Sequence, residues 1–144
     1  MNKKKIINDP IYGFINVESE LIFDIIEHPY FQRLRRIRQL GLTDLVYPGA
    51  LHTRFHHALG AMHLMGLALN NLRLKGHEIS EIEYESAQAA ILLHDIGHGP
   101  FSHTLEFTLL NDLPHEVLSL QIMQEINKQF NGQLDLALAM FTNK

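Results

Sequence analysis

Chemically capable side chains crowd one short stretch of this chain, Ile91-Leu92-Leu93-His94-Asp95-Ile96-Gly97-His98-Gly99-Pro100-Phe101-Ser102-His103. It starts as an apolar helical run and breaks at Gly97, Gly99 and Pro100, residues that a helix interior disfavours. Burying an imidazole and a carboxylate at such a break is costly unless something binds them. A divalent metal is the natural occupant, because neutral imidazole and carboxylate both ligate it. Adjacent helical residues diverge by about 100°, so His94 and Asp95 can grip an ion between them. A second group, Thr53-Arg54-Phe55-His56-His57-Ala58-Leu59-Gly60, opens another helix. Two helices that meet can bring His57, His94 and Asp95 around one ion. Taken singly, His94-Asp95 could be a hydrogen-bonded pair and His57 a surface residue; their coincidence favours the metal.

Other residues fit around that centre. His103 and His115 are candidates for proton transfer, since histidine titrates near neutral pH. Glu106, three residues beyond His103, can orient it if the segment is helical. Arg54 beside a metal site points to phosphate, and no glycine-rich phosphate loop of the Walker type is present. Arg33, Arg35, Arg36 and Arg38 read first as a solvated helix face. His28, His52, His63 and His77 carry no partner signal and read as structural or surface residues.

The elements that must hold these groups are mostly helical. Lys4 to Ile7 and Phe14 to Val17 are β-prone runs flanking Asp9-Pro10-Ile11-Tyr12-Gly13, so residues 1–18 are expected to form a hairpin. Ser19 predicts the start of a helix with Leu21, Ile22, Ile25 and Ile26 on its apolar side, and His28-Pro29 stops it. A further helix is predicted with Phe31, Leu34, Ile37 and Leu40 on its stripe and Gly41 as C-cap. Residues 42–51 read as a loop. A long helix is predicted from Thr53 to Leu74, apolar on most sides around Ala58 to Leu69, ended by Gly76. Ser80-Glu81-Ile82-Glu83 fits a capping box for the helix carrying His94 and Asp95. A short helix is expected at Thr104 to Leu110, a further one opens at Pro114 and runs through Phe130, and a last one starts over Leu134 to Phe141. The class is all-α, a helical bundle over residues 19–144 with one small N-terminal β element.

At 144 residues the chain is expected to make a single domain. It has no cysteine, which excludes disulfides and thiolate zinc sites and agrees with a reducing compartment; the cytoplasm is the expected location. A net charge of −4 gives no electrostatic footprint for nucleic acid. No apolar run is long enough to span a membrane, and no signal-peptide core follows Lys3-Lys4-Lys5.

The strings Arg54-Phe55-His56-His57 and His94-Asp95-Ile96-Gly97-His98-Gly99-Pro100-Phe101-Ser102-His103 resemble the HD-domain metal phosphohydrolases. Asn8-Asp9-Pro10-Ile11-Tyr12-Gly13, the run from Phe31 to Gly41 and Tyr47-Pro48-Gly49-Ala50 are similar, in order, to the deoxynucleoside triphosphate triphosphohydrolases. That branch includes the mammalian SAM-and-HD-domain enzyme and its bacterial relatives. The resemblance runs from about Lys5 to about Leu120 and implies an HD-domain helical bundle. It implies His57, His94 and Asp95 as metal ligands, and Arg54 as a contact to substrate phosphate. His98, His103 and His115 would line the α-phosphate, with His103 as general acid. Glu106 stands where the family commonly has an aspartate partner to that histidine. Gln39 and Leu40 match positions that contact deoxyribose. Lys5, Asn8, Gln32 and Arg35 match a site for an activating nucleotide, and Glu27 replaces an aspartate there. The family's fourth ligand is an aspartate far downstream, a position this chain does not reach, and Asp135 lies too early to stand in for it. The sequence is therefore expected to be the N-terminal part of a longer enzyme, or a truncated one.

The expected activity is metal-dependent hydrolysis of a dNTP to deoxynucleoside and inorganic triphosphate, in a homo-oligomer. Iron, manganese, nickel or zinc suits a His₂-carboxylate set, and magnesium can bridge phosphates. The alternatives are another HD-type phosphohydrolase or phosphodiesterase, or a catalytically incomplete nucleotide-binding module.

Overall fold

The computed structural model describes residues 4–101 and 114–143. The expected helix at Thr104 to Leu110 lies outside the described residues, as do His103 and Glu106. Strands β1 (Lys5–Asp9) and β2 (Gly13–Val17) pair antiparallel, Lys5 opposite Val17 and Asp9 opposite Gly13. Their turn is closed by Asp9, whose Oδ1 accepts the Ile11 and Tyr12 amides at 2.8 and 2.9 Å. The period-two pattern puts Ile15 and Val17 in the core and leaves Ile6 and Phe14 exposed. The tip folds back on the body, with the Tyr12 ring against Gly60, where an added Cβ would lie 3.0 Å from it.

Helix α1 (Glu20–Glu27) is capped by Ser19, whose Oγ accepts the Ile22 amide at 3.1 Å, and buries Ile22, Ile25 and Ile26. His28 is extended before Pro29, as the proline requires, and a one-turn helix, α2 (Pro29–Gln32), follows.

Here the structure corrects the sequence reading. The helix expected to run on to Leu40 and Gly41 stops at Gln32. A 3₁₀ turn covers Arg33–Arg36 and Ile37 is extended. The three-residue spacing of Phe31, Leu34 and Ile37 suits a 3₁₀ turn, whose residues eclipse every third position. All three are buried, whereas Leu40 is 48% exposed. The chain leaves the helix because its backbone is needed elsewhere: Ile37 O accepts the Arg54 amide at 2.8 Å and Gln39 N donates to His52 O at 3.1 Å. An Arg38–Thr53 bridge completes the tie. These bonds satisfy a donor that the start of the next helix would otherwise leave orphaned. Residues 37–53 are thus irregular apart from a 3₁₀ turn at Thr43–Leu45, beside which Arg38 pairs with Asp44.

Helix α3 (Arg54–Leu74) begins at Thr53, whose amide donates to His56 Nδ1 at 3.3 Å. Phe55, Ala58, Leu59 and Met62 enter the core, but Leu64, Leu67, Leu72 and Leu74 face outward. The burial expected around Ala58 to Leu69 therefore holds at Ala58, Leu59, Gly60, Met62 and Gly66 and fails at Leu64 and Leu67. Gly76, at φ +90°, turns the chain into helix α4 (Glu81–Leu93). The capping box forms as expected: Ser80 Oγ accepts the Glu83 amide at 3.2 Å and Glu83 Oε2 accepts the Ser80 amide at 2.8 Å. Ser80→Ala should lower unfolding stability by about 1 kcal/mol, measurable by urea titration.

Pro114 opens α5 (His115–Gln129), and Asn131-Gly132, both at positive φ, lead to α6 (Asp135–Phe141). Asp135, considered as a stand-in ligand, takes the Asn127 side-chain amide at 2.7 Å. Met123, Ile126, Leu134 and Ala137 close the core against Leu92, Leu93 and Ile96. Among the described residues no helix is long and apolar enough to cross a membrane. The architecture is mainly α with an N-terminal hairpin.

Candidate metal centre

The end of α4 and the start of α3 meet at Asp95. His57 Nε2 lies 3.4 Å from His94 Nε2 and 3.6 Å from Asp95 Oδ2, and His94 Nε2 is 3.3 Å from Asp95 Oδ1. Donors about 2.1 Å from a shared ion at tetrahedral angles would be separated by about 3.4 Å, so the three side chains fit a small divalent metal. His94 Nδ1 is 2.6 Å from Ile91 O. A carbonyl only accepts, so the proton sits on Nδ1 and the Nε2 lone pair faces the cluster.

The protonation states suit ligation. Burial lowers the pKa of His57, against the pull of Asp95 and with the help of His94 and Arg54. Burial alone would raise the Asp95 carboxyl, but the His98 hydrogen bond and the Arg54 guanidinium hold it far below the carboxylate range. Neutral imidazoles and an ionised carboxylate are the forms that bind metal.

Asp95 has two further neighbours. Arg54, only 3% exposed, places Nη1 3.0 Å from Asp95 Oδ2. His98, 2% exposed, places Nε2 3.4 Å from Asp95 Oδ1, and its ring stacks on His115 at 3.8 Å. Burial also keeps His98 below its ordinary pKa, which favours the neutral form in this stack. Asp95, His98 and His115 form a second group of potential ligands. The stacked rings lie in near-parallel planes, so their in-plane lone pairs do not converge as those of the first group do.

Of the remaining residues singled out from sequence, Gln39 and Leu40 lie on the irregular segment after the 3₁₀ turn. Gln39 Oε1 is buried with no hydrogen-bond partner among the described residues. Lys5 pairs with Glu27, while Gln32 donates to Ile26 O at 2.7 Å and accepts from Arg35 Nε at 2.8 Å. Asn8 is exposed on β1, opposite Phe14.

Three contributors escaped the sequence reading. Gly97 packs so closely on α5 that a Cβ would lie 2.3 Å from His115 O and 2.4 Å from Ser119 N. Ser119, fully buried, accepts the Gly97 amide and donates to His94 O, both at 2.9 Å. Arg33 reaches the same turn from the 3₁₀ segment instead of facing solvent. A serine between Leu118 and Leu120 and an arginine between Phe31 and Leu34 were the available signals.

The family model described as HD domain matches residues 54–143. This chain belongs to the HD-domain family. The HD domain superimposes on a solved phosphohydrolase of Bacteroides thetaiotaomicron with a TM-score of 0.94 and 56% identity, covering 96% of this chain and 34% of that one. Human deoxynucleoside triphosphate triphosphohydrolase SAMHD1 is 49% identical over 104 residues, 71% of this chain and 16% of the relative. An uncharacterised protein of Bacillus subtilis, YwfO, is 42% identical over 106 residues, 74% of this chain and 24% of the relative. The chain thus spans between about a sixth and a third of the length of these relatives.

Proposed function

We propose that this HD domain carries the site of a metal-dependent hydrolase that cleaves dNTPs to deoxynucleoside and inorganic triphosphate. The observation that carries the reading is the convergence of His57, His94 and Asp95 with Arg54 buried behind the carboxylate. His57, His94 and Asp95 are the metal ligands. The bound ion supplies Lewis-acid stabilisation of phosphoryl charge and a more acidic water. Arg54 holds the Asp95 carboxylate and adds positive charge for the substrate phosphate. His98 and His115 line the α-phosphate, and His103, oriented by Glu106, protonates the departing 5′-oxygen. Gln39 Oε1, buried without a partner among the described residues, would accept from a deoxyribose hydroxyl, with Leu40 against the sugar. The triphosphohydrolase name of the SAMHD1 relatives supports the choice of substrate. An activating nucleotide at Lys5, Asn8, Gln32 and Arg35 and a homo-oligomeric assembly belong to the same proposal.

The test is incubation of the purified protein with each dNTP and Mn²⁺, with products separated by ion exchange. Equal amounts of deoxynucleoside and intact triphosphate, absent in His94→Ala, are expected. Release of phosphate or pyrophosphate would assign a different phosphohydrolase. Nucleotide bound without turnover would mean a truncated enzyme or a binding module, which restoring the downstream region would separate.

A further inference from the structure

We propose that Arg33 is a positioning residue for the metal centre: its guanidinium fixes the turn carrying His94, Asp95 and His98 relative to the start of α3 carrying His57. The proposal rests on the metal reading of that centre. Helix α4 ends at Leu93, and the carbonyls of a helix end need donors from outside the helix. Here the donors can be named. Leu93 O takes the Ile96 amide, Asp95 O takes the His98 amide, and His94 O takes the Ser119 hydroxyl. Ile96 O and His98 O both face Arg33, Nη2 donating to the first and Nη1 to the second, the latter at 2.8 Å. Only a planar guanidinium offers two donors in a fixed fork across two carbonyls; an ammonium is a single flexible point. Its charge also lies at the negative end of the α4 dipole.

The other end of the same segment is tied to α3. Arg35 lays its guanidinium 3.7 Å from the centroid of the Phe55 ring, and Ile37 O accepts the Arg54 amide at 2.8 Å. Residues 33–37 therefore form a bracket, one end on the turn after α4 and the other on the first turn of α3. The His57–His94 and His57–Asp95 separations cross the gap that this bracket spans. Loss of the Arg33 fork frees two carbonyls and lets the turn drift, while every ligand side chain is still present.

The experiment compares Arg33→Lys and Arg33→Met with the unsubstituted protein by Co²⁺ titration, following the visible absorption of the bound ion, and by exchange of the Gly97 amide followed by NMR. Supporting groups around metal ligands typically contribute 10–100-fold in affinity. Co²⁺ affinity is expected to fall about tenfold in Arg33→Lys and further in Arg33→Met, with Gly97 exchange faster in the same order. A residue that only fills space would leave both readouts of the folded variants unchanged, and that result overturns the proposal. If the unsubstituted protein binds no Co²⁺, the metal reading fails by itself. Gly97 exchange, which depends on the turn and not on the ion, then decides whether Arg33 fixes it.

Discussion

Replacing Asp95 with alanine is expected to abolish metal binding and to lower unfolding stability by about 3–5 kcal/mol, the loss typical of breaking a buried ion pair by removing one partner. Asp95 is the one side chain that touches every other member of the centre, with Arg54, His57, His94 and His98 all within 3.6 Å of a carboxylate oxygen. Its removal takes away both a ligand and the anion facing the buried Arg54 guanidinium. Asp95→Asn separates these roles. The amide oxygen can still accept from Arg54, so the stability loss should be smaller, yet a neutral amide is a poor ligand and metal should still be lost. Urea titration of the metal-free protein and metal analysis after dialysis measure the two effects separately. An Asp95→Ala protein as stable as the original would show that the Arg54 charge is balanced elsewhere.

Gly97→Ala is expected to be about as severe through a different cause. The new methyl would sit 2.3 Å from one backbone atom of α5 and 2.4 Å from another. Neither belongs to a flexible side-chain tip that could swing away, so the helix or the turn must shift as a unit. Overpacking of this kind costs about 1–3 kcal/mol and sometimes more, and the upper end is expected here. The same shift would break the Ser119 bonds to Gly97 N and His94 O, so Co²⁺ affinity should fall even in conditions where the variant is folded. Gly99→Ala is the matched control, since nothing lies within 4 Å of a Cβ there. Thermal melts and Co²⁺ titrations of the two alanine variants should diverge sharply; similar behaviour would refute the close approach at Gly97.

Much of this was legible in the sequence because it depends on local chemistry. Ser19, Ser80, Pro29 and Gly76 act within a few residues of themselves, and each marks the boundary it should. The pairing of His57 with His94-Asp95 was legible for another reason: so many ligand-type residues beside apolar runs rarely have a second use. The residues after Gln32 were misread because a spacing of three serves both helix types. What decides between them is the demand of Arg54 N for a carbonyl, and that demand comes from 17 residues downstream of Ile37. Gly97, Ser119 and Arg33 were opaque for the same reason. Their roles exist only once α4, α5 and the 3₁₀ turn are brought together.

Helix α3 is divided between two duties. Its first half anchors the core and presents His57, while Leu64, Leu67, Leu72 and Leu74 stand in water on the second half. Apolar surface is salted out by kosmotropes and tends to self-associate. These four leucines therefore add to the exposed apolar surface on a helix whose other half presents His57. Lysine or glutamate at those four positions is expected to raise the ammonium sulfate concentration at which this chain precipitates.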